Sequence, residues 1–160
     1  MKSLLFTSLT LAALALPAAA QNPAQSQNLR PGEVMYVTPA QAVKLTSKIT
    51  DHASTNFLIR KDTYGQELVY RDGSGVPEVH RDWADHFVVI EGAASIIIGG
   101  KGVGEKDTIT PGEKRGTSIT GGKEYALTPG TNLTVPPGVP HWTVLKPGGH
   151  FRAVVFKLKD

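Results

Sequence analysis

From Thr50 onward the chain is cut into short apolar or alternating runs by turn-forming residues, and this limits its fold more than any other feature. Turn signals stand at Asp72-Gly73, Glu91-Gly92, Gly99-Gly100, Gly121-Gly122, Pro129-Gly130, Pro136-Pro137-Gly138 and Pro147-Gly148-Gly149. Glycine and proline terminate helices but supply the special dihedrals of tight turns. The runs between them read as strands near 55–60, 67–70, 76–81, 86–91, 94–98, 117–120, 125–127, 132–135, 141–145 and 151–158. Many short strands with close turns predict an all-β domain, a sandwich or a closed barrel. A helix is expected only over 39–48, where Thr38-Pro39-Ala40-Gln41 offers an N-cap, an N1 proline and a glutamine at N3. Residues 99–122, rich in Gly, Lys and Glu, read as a long hairpin or flap over one edge.

The first 37 residues have a different character. Met1-Lys2, an apolar run over 4–16, Pro17 and Ala18-Ala19-Ala20 have the order of a secretory signal peptide ending at Ala20. The run is too short to span a bilayer well. Residues 21–37 are then expected to be a flexible arm and residues 38–160 one domain, exported to the periplasm or secreted, with no membrane attachment after cleavage. The chain contains Cys 0, which excludes disulfide scaffolds, thiol chemistry and thiolate zinc sites. The 160 residues carry a formal charge of +3, falling to +2 without Lys2, and no Lys/Arg cluster suggests a nucleic-acid partner. Gly100-Lys101-Gly102-Val103-Gly104 lacks the Lys-Ser/Thr of a phosphate loop, and no serine has an implied His-Asp partner.

All five histidines lie beyond the leader. His52 and His150 sit beside turns and read as surface residues. In Pro77-Glu78-Val79-His80, strand alternation puts Glu78 and His80 on one face. The next strand can return with Asp85, Phe87 and Val89 on that face and His86 on the other. The second candidate segment runs from Gly130 through Pro136-Pro137-Gly138 to His141.

Together these segments resemble the two motifs of the cupin superfamily. The first family pattern is a glycine, then His-x-His, a glutamate and a closing glycine. Its positions are occupied here by Gly73 (displaced by one), Glu78, His80, Asp85 and Gly92. The second is met at Gly130, Pro136, Gly138 and His141, with Leu145 where the family often has asparagine. The resemblance implies a single-domain jelly-roll β-barrel with a short N-terminal helix and one divalent transition metal ion held by Glu78, His80, Asp85 and His141. Two imidazoles with one carboxylate form a set suited to Fe, and the oxygen-rich donors also suit Mn, Zn or Ni without distinguishing among them. A rival set of His80, Asp82 or His86, and His141 requires a one-residue register slip. Glu78 is the first choice as general base, and Tyr70, Phe87, Trp142 and Leu145 are expected to line a pocket. The implied function is metal-dependent chemistry on a small organic molecule, of dioxygenase, decarboxylase, isomerase or lyase type. The alternatives are a non-catalytic binder of a small molecule, sugar or metal, and a metal-free structural homodimer.

Overall fold

The computed structural model describes residues 34–160. The signal-peptide segment and most of the arm lie outside the described residues. Helix α1 covers Pro39–Leu45. The strands that follow are β1 (Ala53–Arg60), β2 (Tyr64–Arg71), β3 (Glu78–His80), β4 (Trp83–Gly92), β5 (Ala94–Ile98), β6 (Lys101–Val103) and β7 (Lys106–Asp107). They continue with β8 (Glu113–Arg115), β9 (Ser118–Thr120), β10 (Lys123–Leu127), β11 (Asn132–Val135), β12 (His141–Val144) and β13 (Phe151–Lys159).

Two antiparallel sheets make the body, in the orders β1-β2-β13-β4-β11 and β10-β5-β12-β3-β8-β7. The domain is all-β, as the turn pattern predicts. The sheets face each other as a jelly roll; their hydrogen bonding does not run continuously around a closed barrel. Phe87, Val89, Ile96, Leu127, Val135, Leu145, Phe151, Ala153 and Val155 fill the space between them. Strand alternation selects these residues: β13 sends Phe151, Ala153 and Val155 inward, and β4 sends Phe87 and Val89. At Gly92, where β4 ends against β13, a Cβ would lie 2.0 Å from the His150 carbonyl oxygen. Only glycine fits there.

The helix ends three residues before Lys48. Thr46 Oγ1 donates to the Ala42 carbonyl at 2.9 Å and Ser47 Oγ to that of Lys44 at 2.8 Å. These bonds satisfy the last carbonyls and stop the helix at Leu45. Thr46 is itself buried, with Arg152 Nε 3.3 Å from its hydroxyl. The expected capping box is present: Gln41 N–H donates to Thr38 Oγ1 at 3.3 Å and Thr38 N–H to Gln41 Oε1 at 2.8 Å. Thr38→Ala should therefore cost about 1 kcal/mol in urea unfolding.

Residues 99–122 differ from the expected flap. Strands β6 and β9 pair as a small ribbon. Between them, β7 and β8 extend the second sheet, with β8 pairing directly with β3. This brings the remote segment Glu113–Arg115 to the first motif.

Candidate metal centre

Register assembles the site. On the second sheet Glu78 stands opposite His141 on one side and opposite Arg115 on the other, and His80 stands opposite Glu113. On the first sheet Asp85 stands opposite Lys157. The turn of the second motif is tied to the first: Gly138 N–H donates to the His80 carbonyl at 2.8 Å. Gly138 has φ +73°, which explains why the Pro-Pro-Gly turn ends in glycine.

Ligand atoms of Glu78, His80 and His141 all lie within 4.8 Å of one another, so this group can hold a metal ion. His80 and His141 are 5% and 2% exposed. His141 Nδ1 is 3.1 Å from the Val139 carbonyl, so in the neutral ring Nδ1 carries the hydrogen and Nε2 keeps its lone pair. That Nε2 is buried without a hydrogen-bond partner among the described residues. An imidazole fixed through one nitrogen and orphaned at the other is the arrangement metal ligands show. His80 Nε2 faces Glu78 Oε2 at 3.6 Å and Asp85 Oδ2 at 3.4 Å, while its Nδ1 is 3.4 Å from Glu113 Oε1.

Asp85 lies outside the group of three. Its Oδ2 is 3.6 Å from His141 Nε2, but Lys157 Nζ holds Oδ1 at 2.5 Å. Burial alone would raise the Asp85 carboxyl; the imidazoles of His141 and His80 and the ammonium of Lys157 hold it well below the usual carboxylate range. Burial also opposes a charge on His141, yet Asp85 and Glu78 leave its pKa raised. Glu78 is engaged as well, with Arg115 Nη2 at 2.9 Å from Oε2.

Beside these residues opens a cavity of about 740 Å³. Phe87 lines it, and so do Glu67, Arg71, Trp83 and Lys157. Tyr70, Trp142 and Leu145 do not. Tyr70 alternates with the inward Val69 and Arg71, and its ring stacks on His150 beneath Arg152. Trp142 alternates with the inward His141 and donates Nε1–H to the Gly75 carbonyl at 2.7 Å. Leu145 is buried in the core.

The rival ligand set is not assembled. Asp82 pairs with Arg81 at the surface. His86 faces the outer side, 2.6 Å from Thr134 Oγ1. His52 pairs with Asp72, and His150 lies 3.3 Å from Glu91, both at the surface.

No protein-family model and no curated protein sequence matches the chain. Solved structures do match it. A conserved protein with a double-stranded β-helix domain from Klebsiella pneumoniae shares 15% identity at a TM-score of 0.58, over 82% of this chain and 91% of that one. The cupin domain of Cnp3 from Schizosaccharomyces pombe shares 8% at 0.52, over 71% and 69%.

The chain has the cupin fold.

A further match is the DMSP lyase DddQ from Ruegeria pomeroyi, with 17% identity and a TM-score of 0.53 over 86% of this chain and 72% of that one. Against the cupin motifs, the site has charged residues that neither motif contains, among them the following four. Glu113 and Arg115 come from β8, Lys157 from β13 and Glu67 from β2. Burial pushes the Glu67 carboxyl up to about 7, against the pull of Lys157 and with a push from Asp85 and Glu78. Alternation carried a signal for two of them: Lys157 continues the inward series Phe151, Ala153, Val155, and Glu67 the series Val69, Arg71. The pairing of β8 with β3 left no sequence signal.

Proposed function

We propose that the chain is an exported, metal-dependent cupin enzyme that acts on a small organic molecule in the cavity beside Glu78, His80 and His141. The observation that carries this reading is the buried, unpartnered Nε2 of His141, aimed at two further donor atoms at the edge of a substrate-sized space. Export rests on the leader-like residues 1–20. That one protein of this fold is a lyase by name supports chemistry on a small molecule, although the fold itself does not select a substrate.

Glu78, His80 and His141 would hold the ion, with Asp85 Oδ2 as a fourth donor competed for by Lys157. The bound cation supplies Lewis acidity toward a substrate oxygen. The Val139 carbonyl holds His141 through Nδ1, so that ring keeps its Nε2 on the site, while Glu113 Oε1 lies 3.4 Å from His80 Nδ1 without a hydrogen bond. Proton transfer falls to Glu67. Its carboxyl lines the cavity and titrates near neutrality, whereas Glu78 is committed to the imidazoles and Arg115. Core residues Phe87, Val69 and Val155 form the apolar wall.

Elemental analysis of the mature protein, purified without a His-tag or added metal, tests the reading, with mass spectrometry locating the N-terminus expected at Gln21. A transition metal near one equivalent is expected. His141→Ala and Glu78→Ala should each lower affinity by at least about tenfold, with His86→Ala unchanged. Because His141 must shed its proton to ligate, uptake should weaken as pH falls through its raised pKa. Metal retained in the first two variants and lost in the third would remove the ligand assignment. Failure to take up Fe, Mn, Zn or Ni would leave the metal-free alternative, which the ion pairs Asp85–Lys157 and Glu78–Arg115 favour.

A further inference from the structure

The cationic side chains around the cavity are spoken for, with one exception. Arg115 pairs with Glu78 and Glu113. Lys157 pairs with Asp85, and Lys61 is also engaged. Arg60 is exposed and its guanidinium lies over the Phe57 ring, 4.4 Å from the centroid. Arg71 is half-buried and lines the cavity, yet no carboxylate or other acceptor bonds its guanidinium among the described residues. A guanidinium carries five donors and cannot be deprotonated in a protein, so a partly desolvated one without partners is a standing demand for an anion.

The surroundings fix this group without consuming its hydrogens. Arg71 is the last residue of β2 and shares the inward face with Glu67 and Val69. Its guanidinium lies against the backbone of Gly75, where a Cβ would come within 2.8 Å of Nη1 and 3.0 Å of Cζ. Gly75 is pinned in turn: its N–H donates to the Thr143 carbonyl at 3.0 Å, and its carbonyl accepts from Trp142 Nε1 at 2.7 Å. Burial disfavours the charge on Arg71 and the Glu78 carboxylate offsets part of this, and both side chains line the same cavity.

We propose that Arg71, seated on Gly75, is the residue that binds a carboxylate of the substrate and so aims the substrate at Glu78, His80 and His141. This names the substrate class of the site and rests on the metal-dependent reading above. Arg115 and Lys157 are paired with Glu78 and Asp85, and the single charge of Arg71, bonded to no acid, matches a monoanion. A carboxylate meets the planar fork through two parallel bonds. A phosphate dianion would bring a second charge with no free partner.

The probe is benzoate, titrated by ligand-observed NMR against the full mature protein in metal-free and zinc-treated form, beside benzamide and phenylphosphonate. Benzoate should bind at least about tenfold more tightly than benzamide, the difference expected for one charge-assisted hydrogen-bonded pair. Arg71→Gln should remove that preference in both forms, and Arg71→Lys should restore part of it. Gly75→Ala should weaken benzoate several-fold with Tm unchanged, because position 75 is not in the left-handed region and only the far end of Arg71 must move. Benzoate binding that is indifferent to Arg71→Gln would overturn the proposal, and so would a preference for phenylphosphonate. Binding that depends on zinc and not on Arg71 would overturn it while leaving the metal reading intact. If the protein takes up no zinc, the metal reading fails, and the Arg71 dependence of the metal-free titration still decides this one.

Discussion

Lys157→Met should destabilise the metal-free protein by about 3 kcal/mol in urea unfolding, because it strands a buried carboxylate. Asp85 is 5% exposed and its Oδ1 has Lys157 as its ion-pair partner. The two stand directly opposite on β4 and β13. The cost therefore belongs to Asp85, and a double-mutant cycle reveals it. Adding Asp85→Asn should recover most of the loss, since the neutral amide has little need of the ammonium. The single variant should also bind metal more tightly, as Asp85 becomes available to the ion, and metal should restore stability by mass action. A loss below about 1 kcal/mol would place the pair with surface ion pairs and refute its burial.

Glu67→Gln should do the opposite and stabilise the metal-free protein above neutral pH. The sign follows from proton counting. The Glu67 carboxyl lies at about 7 in the folded chain against an ordinary 4.5. Between those values the folded state keeps a proton that the unfolded state releases, so stability falls as pH rises. The full gap corresponds to at most about 3 kcal/mol, and partial solvation of the side chain reduces it. Stability curves for the two proteins should coincide near pH 4 and diverge up to pH 8, with the glutamine variant higher. Parallel curves would mean that Glu67 titrates normally and would withdraw its proton-transfer role.

Much of the architecture was legible because strand alternation and turn chemistry are local. The sequence windows 94–98 and 132–135 coincide with β5 and β11, and the helix start at Pro39 follows from its cap. Glu78, His80, Asp85 and His141 could be proposed as neighbours because two motif spacings and one parity rule place them together. Trp142 and Tyr70 do not line the cavity, and the same parity rule, applied from His141 and Arg71, turns both outward. What stayed hidden was non-local. That residues 113–115 pair with 78–80 depends on how a Gly-rich excursion returns to the sheet, and no turn residue encodes it. The unpartnered state of Arg71 is a property of everything around it, readable only once the partners of the neighbouring side chains are known.

The excursion from Gly99 to Gly122 has one more consequence. It carries Glu113, which faces His80 Nδ1, and Arg115, which pairs with Glu78, yet none of the residues that form the packed interior. Donor atoms and scaffold thus sit on one part of the chain, and the groups that tune their basicity on another. Loop excursions accept sequence change more readily than core strands. A descendant chain could exchange these three residues of β8 and inherit a differently poised centre in an unaltered domain.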